Sequence, residues 1–455
     1  MRAARKIAMI CITLAVVLFF RSEADAGAKY VFMFIGDGMG AAQRNAAEIY
    51  LGGARRAAGD DAPRDAQLVM NSLEQSGFIT TDSLSGVTDS AAAGTALATG
   101  RKTINGAVAM DPKTGEKFTS IARMAHKMGM KVGIVTSAFL QDATPAVYYG
   151  NAPKRTDHYS LGTQLADSGF EYFGGGGFIN PRGKDKKNRD LYEVAASKGY
   201  SVIKGTTDAP ASGKVIAVHP RLSGGGMPWV IDRAAGPSLA DFTDLGIKLL
   251  YGEDGFFMMV EGGKIDLACH ANDAAASIYE TIAFDEAVGR AVLFAREHPD
   301  DTLIIVTSDH ETGGMTFDPN AVSGEALYAA LSPRQGSYAA FERKISPKQG
   351  ADIGPYLEMA RSFFGPGVAK TPAVEKAFKS SMTAKKSRQS LDPQYKKLYG
   401  PYDPFTMACV KASDAAAGIT WTTYYHTGKN VPVSASGGAS SPDFTGEFDN
   451  TGIFE

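Results

Sequence analysis

The stretch YVFMFIGDG, residues 30–38, joins a continuous apolar run to an acid flanked by glycines. An unbroken apolar run is typical of a strand that is buried on both faces of a parallel sheet. Similar runs occur at residues 132–137, 256–260 and 303–308, and helical patterns occur between them at 120–128, 239–250 and 274–297. This alternation of strands and helices predicts an α/β fold, a three-layer αβα sandwich with a large, mostly parallel central sheet.

The length and composition of the chain fit one elaborated domain. It has 455 residues, 44% of them hydrophobic, and a formal net charge of -2. This is enough apolar material for a large core, and the balanced charge does not indicate a nucleic-acid partner. Residues 317–419 are rich in Lys, Ser, Pro and Tyr and include a helical piece at 355–364. We interpret this segment as an insertion on the rim of the core, with its basic residues forming a solvated surface rather than a binding patch.

The N-terminal segment has the pattern of a cleavable signal peptide. Basic residues between positions 2 and 6 precede an apolar run at 7–20, and an Ala-Asp-Ala site follows at 24–26. A membrane anchor is the alternative, but the run is shorter than the roughly 20 residues that a spanning helix needs. We therefore expect residues 1–26 to be removed. The catalytic domain would then be residues 27–455, in a periplasmic or secreted protein without a membrane attachment.

Two small features complete the organisation of the chain. Of the three cysteines only Cys269 and Cys409 lie beyond the expected signal peptide, which does not make a disulfide framework, although a single bond between them is an alternative. Four consecutive glycines at 174–177 predict a tight turn after a strand, with a phosphate cradle as the less favoured alternative.

The residues that follow the predicted strands are chemically distinctive. The first strand runs into Asp37, the third into Glu261 and the fourth into Asp309-His310, and the second is followed by Asp142 and Thr144. In open α/β sheets, functional groups collect beyond the carboxyl ends of the strands. One acid at such a place is usually a helix cap or a turn former, but four such ends predict a metal site.

The spacing of these groups suggests which metals they would hold. Asp266 and His270 are four residues apart and so share one face of a helical turn, and such a pair of carboxylate and imidazole suits Zn²⁺. An oxygen-only set suits Mg²⁺, and Asp37, Thr144 and Glu261 provide one. The remaining histidines lack an acid partner in the sequence and are interpreted as surface or packing residues; they are His126, His158, His219 and His298.

The candidate nucleophile lies in VTDSAAAGTA, residues 87–96. The alanine-rich sequence after Ser90 predicts a helix with Ser90 at its N-terminus, where free N–H groups and the helix dipole favour an anion. The G-x-S-x-G pattern of a hydrolase nucleophile elbow is absent from this segment. On local sequence alone, an N-cap role for Asp89 or Ser90 explains the pattern equally well.

Taken together, six short motifs resemble, in order, those of the bacterial alkaline phosphatase family. They are IGDGMG at 35–40, TDSA at 88–91, QDATPA at 141–146, EGGKIDLACH at 261–270, TSDH at 307–310 and HTG at 426–428. The resemblance extends from about residue 30 to the C-terminus, apart from the rim insertion. It implies a metal-dependent phosphomonoesterase of broad specificity that acts on small phosphomonoesters through a phosphoserine at Ser90 and releases inorganic phosphate.

The resemblance also implies two zinc ions and one magnesium ion. One zinc would be held by Asp266, His270 and His426, and the second by Asp37, Asp309 and His310. The magnesium would be held by Asp37, Thr144 and Glu261, with Asp142 reaching it through water and Asp89 lying nearby. Arg155 is expected to clamp the phosphate with its planar fork, with Lys154 as the fallback. A homodimer is expected by analogy only.

Two positions depart from the family pattern or stand out within it. Leu267 occupies a place where some bacterial members carry Lys or His, so the surroundings of the third metal are expected to differ. Cys269, next to His270, is interpreted as a bystander thiol, with an extra metal contact or an oxidation-sensitive site as alternatives.

Two other functions are alternatives to a phosphomonoesterase. A phosphodiesterase or a sulfatase of the same superfamily is one alternative, but the segment after Ser90 lacks the C/S-x-P-x-R setting that sulfatases need. A periplasmic phosphate- or metal-binding protein without catalysis is another alternative, and it would not need a nucleophile beside a complete two-metal set.

Overall fold

The computed structural model describes residues 27–60, 66–318, 322–345, 351–384, 393–438 and 442–455. The expected signal peptide, residues 1–26, lies outside the described residues. Within these ranges no helix combines the length and the apolar character needed to cross a membrane.

The described chain is built around a ten-stranded sheet. Its strands are β1 (Tyr30–Ile35), β2 (Gln75–Ile79), β3 (Lys131–Thr136), β4 (Tyr172–Gly175), β5 (Tyr200–Lys204), β6 (Lys214–Val218), β7 (Phe256–Glu261), β8 (Thr302–Thr307), β13 (Val431–Gly437) and β14 (Gly446–Phe448). Two small antiparallel ribbons pair β9 (Glu311–Thr312) with β12 (His426–Thr427), and β10 (Met315–Thr316) with β11 (Thr420–Trp421).

The strand order across the large sheet is β14-β2-β13-β8-β1-β7-β3-β4-β6-β5. Strand β13 runs antiparallel to both of its neighbours, β2 and β8, while the other pairs are parallel. This confirms the predicted α/β fold with a mostly parallel central sheet. The four strands predicted from apolar runs, β1, β3, β7 and β8, begin and end within one residue of their expected bounds.

Helices cover both faces of this sheet. They are α1 (Ala41–Ala57), α2 (Ser90–Thr99), α3 (Ile121–Lys127), α4 (Ala143–Tyr149), α5 (His158–Asp167), α6 (Leu191–Ser197), α7 (Leu239–Leu250), α8 (Lys264–His270), α9 (Ala274–Glu297), α10 (Gly324–Leu331), α11 (Tyr338–Lys344), α12 (Gly354–Phe364), α13 (Pro372–Ala384), α14 (Pro393–Tyr399) and α15 (Pro404–Ala416). The helices predicted over 120–128, 239–250, 274–297 and 355–364 correspond to α3, α7, α9 and α12.

The apolar runs are continuous because both faces of the sheet are covered. Along β1, Phe32 and Phe34 belong to one buried cluster, whereas Met33 and Ile35 belong to another on the opposite face. Successive side chains of a strand point to opposite faces, so a strand covered on both sides must be apolar at every position. Strand β7 is buried along its whole length, including Glu261 at its end.

The predicted rim region has a small core of its own. The ribbon of β10 and β11 brings Thr316 next to Thr420, so the chain leaves and re-enters the main body at one place. Between them, α11 to α15 surround a third buried cluster that includes Phe341, Phe364 and Phe405. Helix α10 instead packs its buried leucines into the first cluster.

The glycines at 174–177 serve close packing of the backbone. Gly175 has a φ of +99°, and a Cβ on Gly176 would lie 1.7 Å from the carbonyl oxygen of Ala138. Only glycine fits such a close approach, which agrees with the expected tight turn after a strand.

Candidate active site

The strands that end in chemically distinctive residues are neighbours. Strands β8, β1, β7 and β3 lie side by side in that order and are all parallel, so their carboxyl ends form one continuous edge. The residues that follow them therefore converge, as the sequence predicted. The site lies along this edge, where ligands of open α/β sheets bind.

Cluster 1, which we define as Asp37, Asp309 and His310, lies beyond the ends of β1 and β8. His310 Nε2 is 3.3 Å from Asp309 Oδ2 and 3.6 Å from Asp37 Oδ1. The three side chains are buried, and the two named carboxylate oxygens have no hydrogen-bond partner among the described residues. Buried oxygens without partners are costly unless a cation or water occupies the space between them.

Cluster 2, which we define as Asp266, His270 and His426, is formed by helix α8 and strand β12. His270 Nε2 lies 3.1 Å from His426 Nε2 and 3.4 Å from Asp266 Oδ2, and His426 Nε2 lies 3.7 Å from Asp266 Oδ1. Asp266 and His270 share one face of α8, as their spacing predicted. The side chains of His270 and His426 are 25% and 14% exposed, so this cluster opens to solvent whereas cluster 1 does not.

The hydrogen bonds around the histidines fix which ring nitrogen is available. His270 Nδ1 lies 2.6 Å from the carbonyl oxygen of Tyr424, and His426 Nδ1 lies 2.8 Å from that of Thr88. A carbonyl can only accept, so each Nδ1 carries the proton and each Nε2 presents a lone pair to cluster 2. A histidine that ligates a metal through one ring nitrogen usually donates the N–H of the other to a carbonyl or carboxylate.

Thr312 gives His310 the same tautomer and connects the two clusters. Its hydroxyl donates to Asp266 Oδ1 at 2.6 Å and lies 3.2 Å from His310 Nδ1. Because the hydroxyl proton is used on Asp266, the oxygen accepts from His310 Nδ1–H, and His310 Nε2 presents its lone pair to cluster 1. The rings of His310 and His426 also stack, with their centroids 3.6 Å apart.

Charge in this site favours a bound cation. Burial, reinforced by neighbouring carboxylates, raises the pKa of Glu261 to about 8 and that of Asp309 to about 7, and it raises the pKa of Asp37 well above its usual range. Burial, followed by the nearby imidazoles, lowers the pKa of His310 well below its usual value. The protein alone thus disfavours the carboxylate charges and keeps His310 neutral, and cations would relieve the repulsion between the carboxylates.

The predicted oxygen-only set lies beside cluster 1. Thr144 Oγ1 donates to Asp37 Oδ2 at 3.3 Å from the first turn of α4. Glu261 accepts from the Thr136 hydroxyl through Oε2, while its Oε1 is buried and has no partner among the described residues. These residues therefore offer oxygen ligands in the combination that magnesium prefers.

Ser90 is the first residue of α2, and Asp89 is its N-cap. Asp89 Oδ1 accepts from Ala92 N at 3.1 Å, so the capping role considered for Asp89 is confirmed. Ser90 is free of that role, and its Oγ lies 3.2 Å from His310 Nε2. The serine hydroxyl therefore lies next to cluster 1, at the N-terminal end of a ten-residue helix.

Arg155 is held between two carboxylates. Its Nη1 donates to Asp89 Oδ2 at 3.2 Å, and its Nη2 donates to Asp142 Oδ1 at 3.0 Å. Asp89 and Asp142, the N-caps of α2 and α4, thus orient the guanidinium beside Ser90. Each Nη retains one further N–H, which leaves a fork that suits two phosphate oxygens. Lys154, the fallback, is an exposed residue.

Two supporting residues were missed by the sequence reasoning. One is Thr312, described above. The other is Glu311, a buried carboxylate that accepts from Gln43 Nε2 at 2.9 Å, from the backbone at Gly314, and from the Thr427 hydroxyl. In sequence Glu311 directly follows His310. In the fold it lies on β9, which pairs with β12, the strand that carries His426. Their position in TSDHETGG directly after the Asp-His pair was the signal that could have identified both.

The structure also shows the surroundings of the cysteines, of Leu267 and of His126. Cys269 is fully buried, its Sγ lies 3.3 Å from Ser277 Oγ, and it is a member of neither cluster, which fits a bystander thiol. Both Cys269 and Cys409 are free thiols. Leu267 is 41% exposed beside Asp266. The expectation that His126 lacks an acid partner was wrong, because its Nε2 lies 3.4 Å from Glu171 Oε1, a residue distant in sequence.

An α/β sheet with a serine, an arginine and two carboxylate–histidine clusters at one edge defines a metallohydrolase that acts on an anionic ester. The family model for alkaline phosphatase matches residues 28–455. The chain therefore belongs to the alkaline phosphatase family, and it is a phosphate monoester hydrolase, as the motifs predicted.

Individual relatives agree with this assignment. The chain is 32% identical to alkaline phosphatase 3 of Bacillus subtilis over 437 residues, which cover 93% of this chain and 87% of that protein. It is 32% identical to the alkaline phosphatase of Escherichia coli over 401 residues, covering 76% and 83%. Among solved structures, Thermus thermophilus alkaline phosphatase is similar with a TM-score of 0.79 and 28% identity, covering 94% of this chain and 90% of that one.

Proposed function

We propose that the chain hydrolyses phosphate monoesters in two steps, through a phosphoserine at Ser90, with two zinc ions and one magnesium ion bound. The observation that carries this proposal is the position of Ser90 Oγ, 3.2 Å from the lone-pair nitrogen of His310 in cluster 1. A nucleophile next to a cation-binding set, with an arginine alongside, is the arrangement that phosphoryl transfer requires.

The residues fit the metals that the family uses. Clusters 1 and 2 each offer one or two imidazole nitrogens with carboxylate oxygens, the donor set that zinc prefers. Asp37, Thr144 and Glu261 offer oxygens only, and Asp142 lies close enough to Arg155 and the site to hold a water of a magnesium ion. When bound, such cations neutralise charge on the attacking and leaving oxygens of an in-line displacement and acidify water.

The chain's own residues supply attack and positioning. The Ser90 hydroxyl loses its proton to water as Oγ attacks phosphorus, and the ester oxygen leaves on the opposite side and takes up a proton from water. Asp89 and Asp142 fix the orientation of the Arg155 guanidinium. Its remaining N–H groups hold two non-bridging phosphate oxygens. Water then attacks the phosphoserine, which returns the Ser90 hydroxyl and releases inorganic phosphate.

The openness of cluster 2 supports broad specificity. The partly exposed His270 leaves room for leaving groups of different shape to remain in solvent, so the enzyme would select mainly for the phosphate. We further propose that residues 1–26 direct the chain to the periplasm or out of the cell, and that the mature enzyme is a homodimer. Because water is activated at metal, the pH optimum would be alkaline.

The test compares p-nitrophenyl phosphate with bis-p-nitrophenyl phosphate from neutral to alkaline pH, for the wild type and the Ser90→Ala variant. We expect monoester preference, loss with EDTA and recovery with Zn²⁺ and Mg²⁺. Ser85→Ala is a matched control, since Ser85 is exposed on the loop that precedes α2. Ser90→Ala should lose activity by at least about 10³-fold, while the control stays within about twofold of wild type. Full activity in Ser90→Ala, or preference for the diester, would overturn the proposal.

A further inference from the structure

A strongly basic loop lies beside the residues that hold Arg155. The sequence RGKDKKNR, residues 182–189, has five basic residues and one acid. All of its charged side chains are exposed. Lys187 Nζ is 4.0 Å from Asp185, and Arg189 Nε is 3.7 Å from Glu193. In the part of the chain that the structure describes, Arg182, Lys184 and Lys186 have no carboxylate within 4.0 Å.

Hydrogen bonds give this basic loop a defined shape and place it at the site. Asn188 N donates to Arg182 O at 3.1 Å, and Leu191 N donates to Pro181 O at 2.9 Å, so the loop closes on itself. At its start, Gln141 and Ile179 exchange two hydrogen bonds, of 3.1 and 3.0 Å, between the Gln141 amide and the Ile179 backbone. Gln141 directly precedes Asp142, whose carboxylate holds Arg155. The basic loop is thereby tied to the phosphate clamp.

An open cavity separates the basic loop from the segment after Arg155. It is lined by Asp157, His158, Asn180, Lys184 and Asn188, among others, and has a volume of about 420 Å³. His158 Nδ1 is buried there and has no hydrogen-bond partner among the described residues. Burial lowers the pKa of His158, and the charges of Asp142, Lys184 and Arg155 act on it as well, so each of these groups lies within electrostatic range of His158.

We propose that this cavity and the basic loop bind a second anionic group of the substrate, so that the enzyme favours phosphomonoesters that carry another phosphate. The inference rests on the proposed function, because the first phosphate must occupy Arg155 and Ser90. A second phosphate needs positive charge and hydrogen-bond donors close to the site that holds the first. The lysines of the basic loop and the amide side chains of the cavity provide both. Asp157 faces the same cavity and limits the preference to a moderate one.

The test uses initial rates of phosphate release from glucose 6-phosphate and glucose 1,6-bisphosphate. The Lys184→Gln/Lys186→Gln variant should lower kcat/KM for the bisphosphate about five- to twentyfold, mostly through KM, because each lost unit charge is worth about a factor of five near a phosphate. The monophosphate should change by no more than about twofold. Raising the salt concentration should reduce the wild-type preference and leave the variant almost unaffected.

Lys198→Gln/Lys248→Gln is the matched control, since it removes the same charge at exposed positions, one directly after α6 and one in the last turn of α7. Its ratio of bisphosphate to monophosphate kcat/KM should equal that of wild type. An unchanged ratio in the loop variant would overturn the second site while leaving the phosphatase intact. An equal fall for both substrates would also overturn it, in favour of general steering. Only loss of hydrolysis of every monoester would point to failure of the proposed function.

Discussion

Glu311→Gln tests whether a residue that positions the metal ligands, without being a ligand itself, controls the affinity for metal. The carboxylate of Glu311 accepts from four donors: Gln43 Nε2 at 2.9 Å, Gly314 N at 3.0 Å, Met315 N at 3.3 Å, and the Thr427 hydroxyl. It thereby fixes the ribbon of β9 and β12, in which Thr427 pairs with Glu311 and His426 pairs with Thr312. Among the described residues no hydrogen bond or ion pair joins the Glu311 carboxylate to a cluster atom. The ribbon that it fixes nevertheless carries His426 and directly follows His310.

The expected loss follows from these contacts. A hydrogen bond to a charged acceptor contributes about 1.5–3 kcal/mol, against about 0.5–1.5 kcal/mol for a neutral one. A glutamine keeps one oxygen and turns its amide toward at least one former donor, so we expect a loss of about 2–4 kcal/mol. If about half of that loss, about 1–2 kcal/mol, falls on the metal-bound state, metal affinity drops about 5- to 30-fold, which overlaps the range of about 10- to 100-fold seen when groups hydrogen-bonded around metal ligands are changed.

The assay is zinc content by mass spectrometry after dialysis against buffered zinc, together with activity as a function of free zinc. Glu311→Gln should need about 5- to 30-fold more zinc for half-maximal activity and should approach the wild-type kcat at saturating zinc. The control is Glu325→Gln, which removes an exposed carboxylate at the start of α10 that pairs with Arg56. Wild-type zinc content and melting temperature in Glu311→Gln would refute the reasoning.

Further outcomes follow from the same geometry. Arg155→Ala should weaken inhibition by inorganic phosphate about 10²-fold and raise KM, with Arg155→Lys in between, measured by steady-state inhibition; unchanged phosphate inhibition would contradict the clamp. In metal-free protein, burial raises the pKa of Glu261 to about 8 and that of Asp309 to about 7, so the contribution of these two groups to stability is largest at acidic pH and is lost as pH rises through these values. Melting temperatures after EDTA treatment should therefore fall between about pH 5 and about pH 8, and bound Zn²⁺ and Mg²⁺ should abolish that fall; a flat profile without metal would contradict the assigned burial. Cys269→Ala should cost about 1–2 kcal/mol of stability in chemical denaturation and leave kcat within about twofold, whereas lost zinc would show that the thiol is a ligand.

Much of the fold was predictable because its central strands are covered on both faces. Such strands are recognisable from apolar runs alone, and β1, β3, β7 and β8 were found in this way. Strand β13 was not, because residues 431–437 read VPVSASG, with a proline and small polar residues. Its antiparallel place between β2 and β8 depends on pairing between segments distant in sequence, to which no local pattern points.

The site was predictable to the extent that its residues follow strand ends or recur in ordered motifs. The convergence of Asp37, Glu261 and Asp309 followed from the rule that parallel strands share a carboxyl edge. The supporting contacts could not be foreseen in the same way. The Thr312 hydroxyl joins Asp266 to His310, and Arg155 lies between Asp89 and Asp142, only because the folded chain brings distant segments within 3.2 Å.

The most direct test of the central claim is to trap the phosphorylated enzyme. Wild-type enzyme turning over a radiolabelled phosphomonoester is quenched in acid, digested and sequenced by mass spectrometry. We predict that the label is on Ser90, in the peptide that includes residues 87–96, and that Ser90→Ala carries none. Label on another residue, or equal label in Ser90→Ala, would contradict the account.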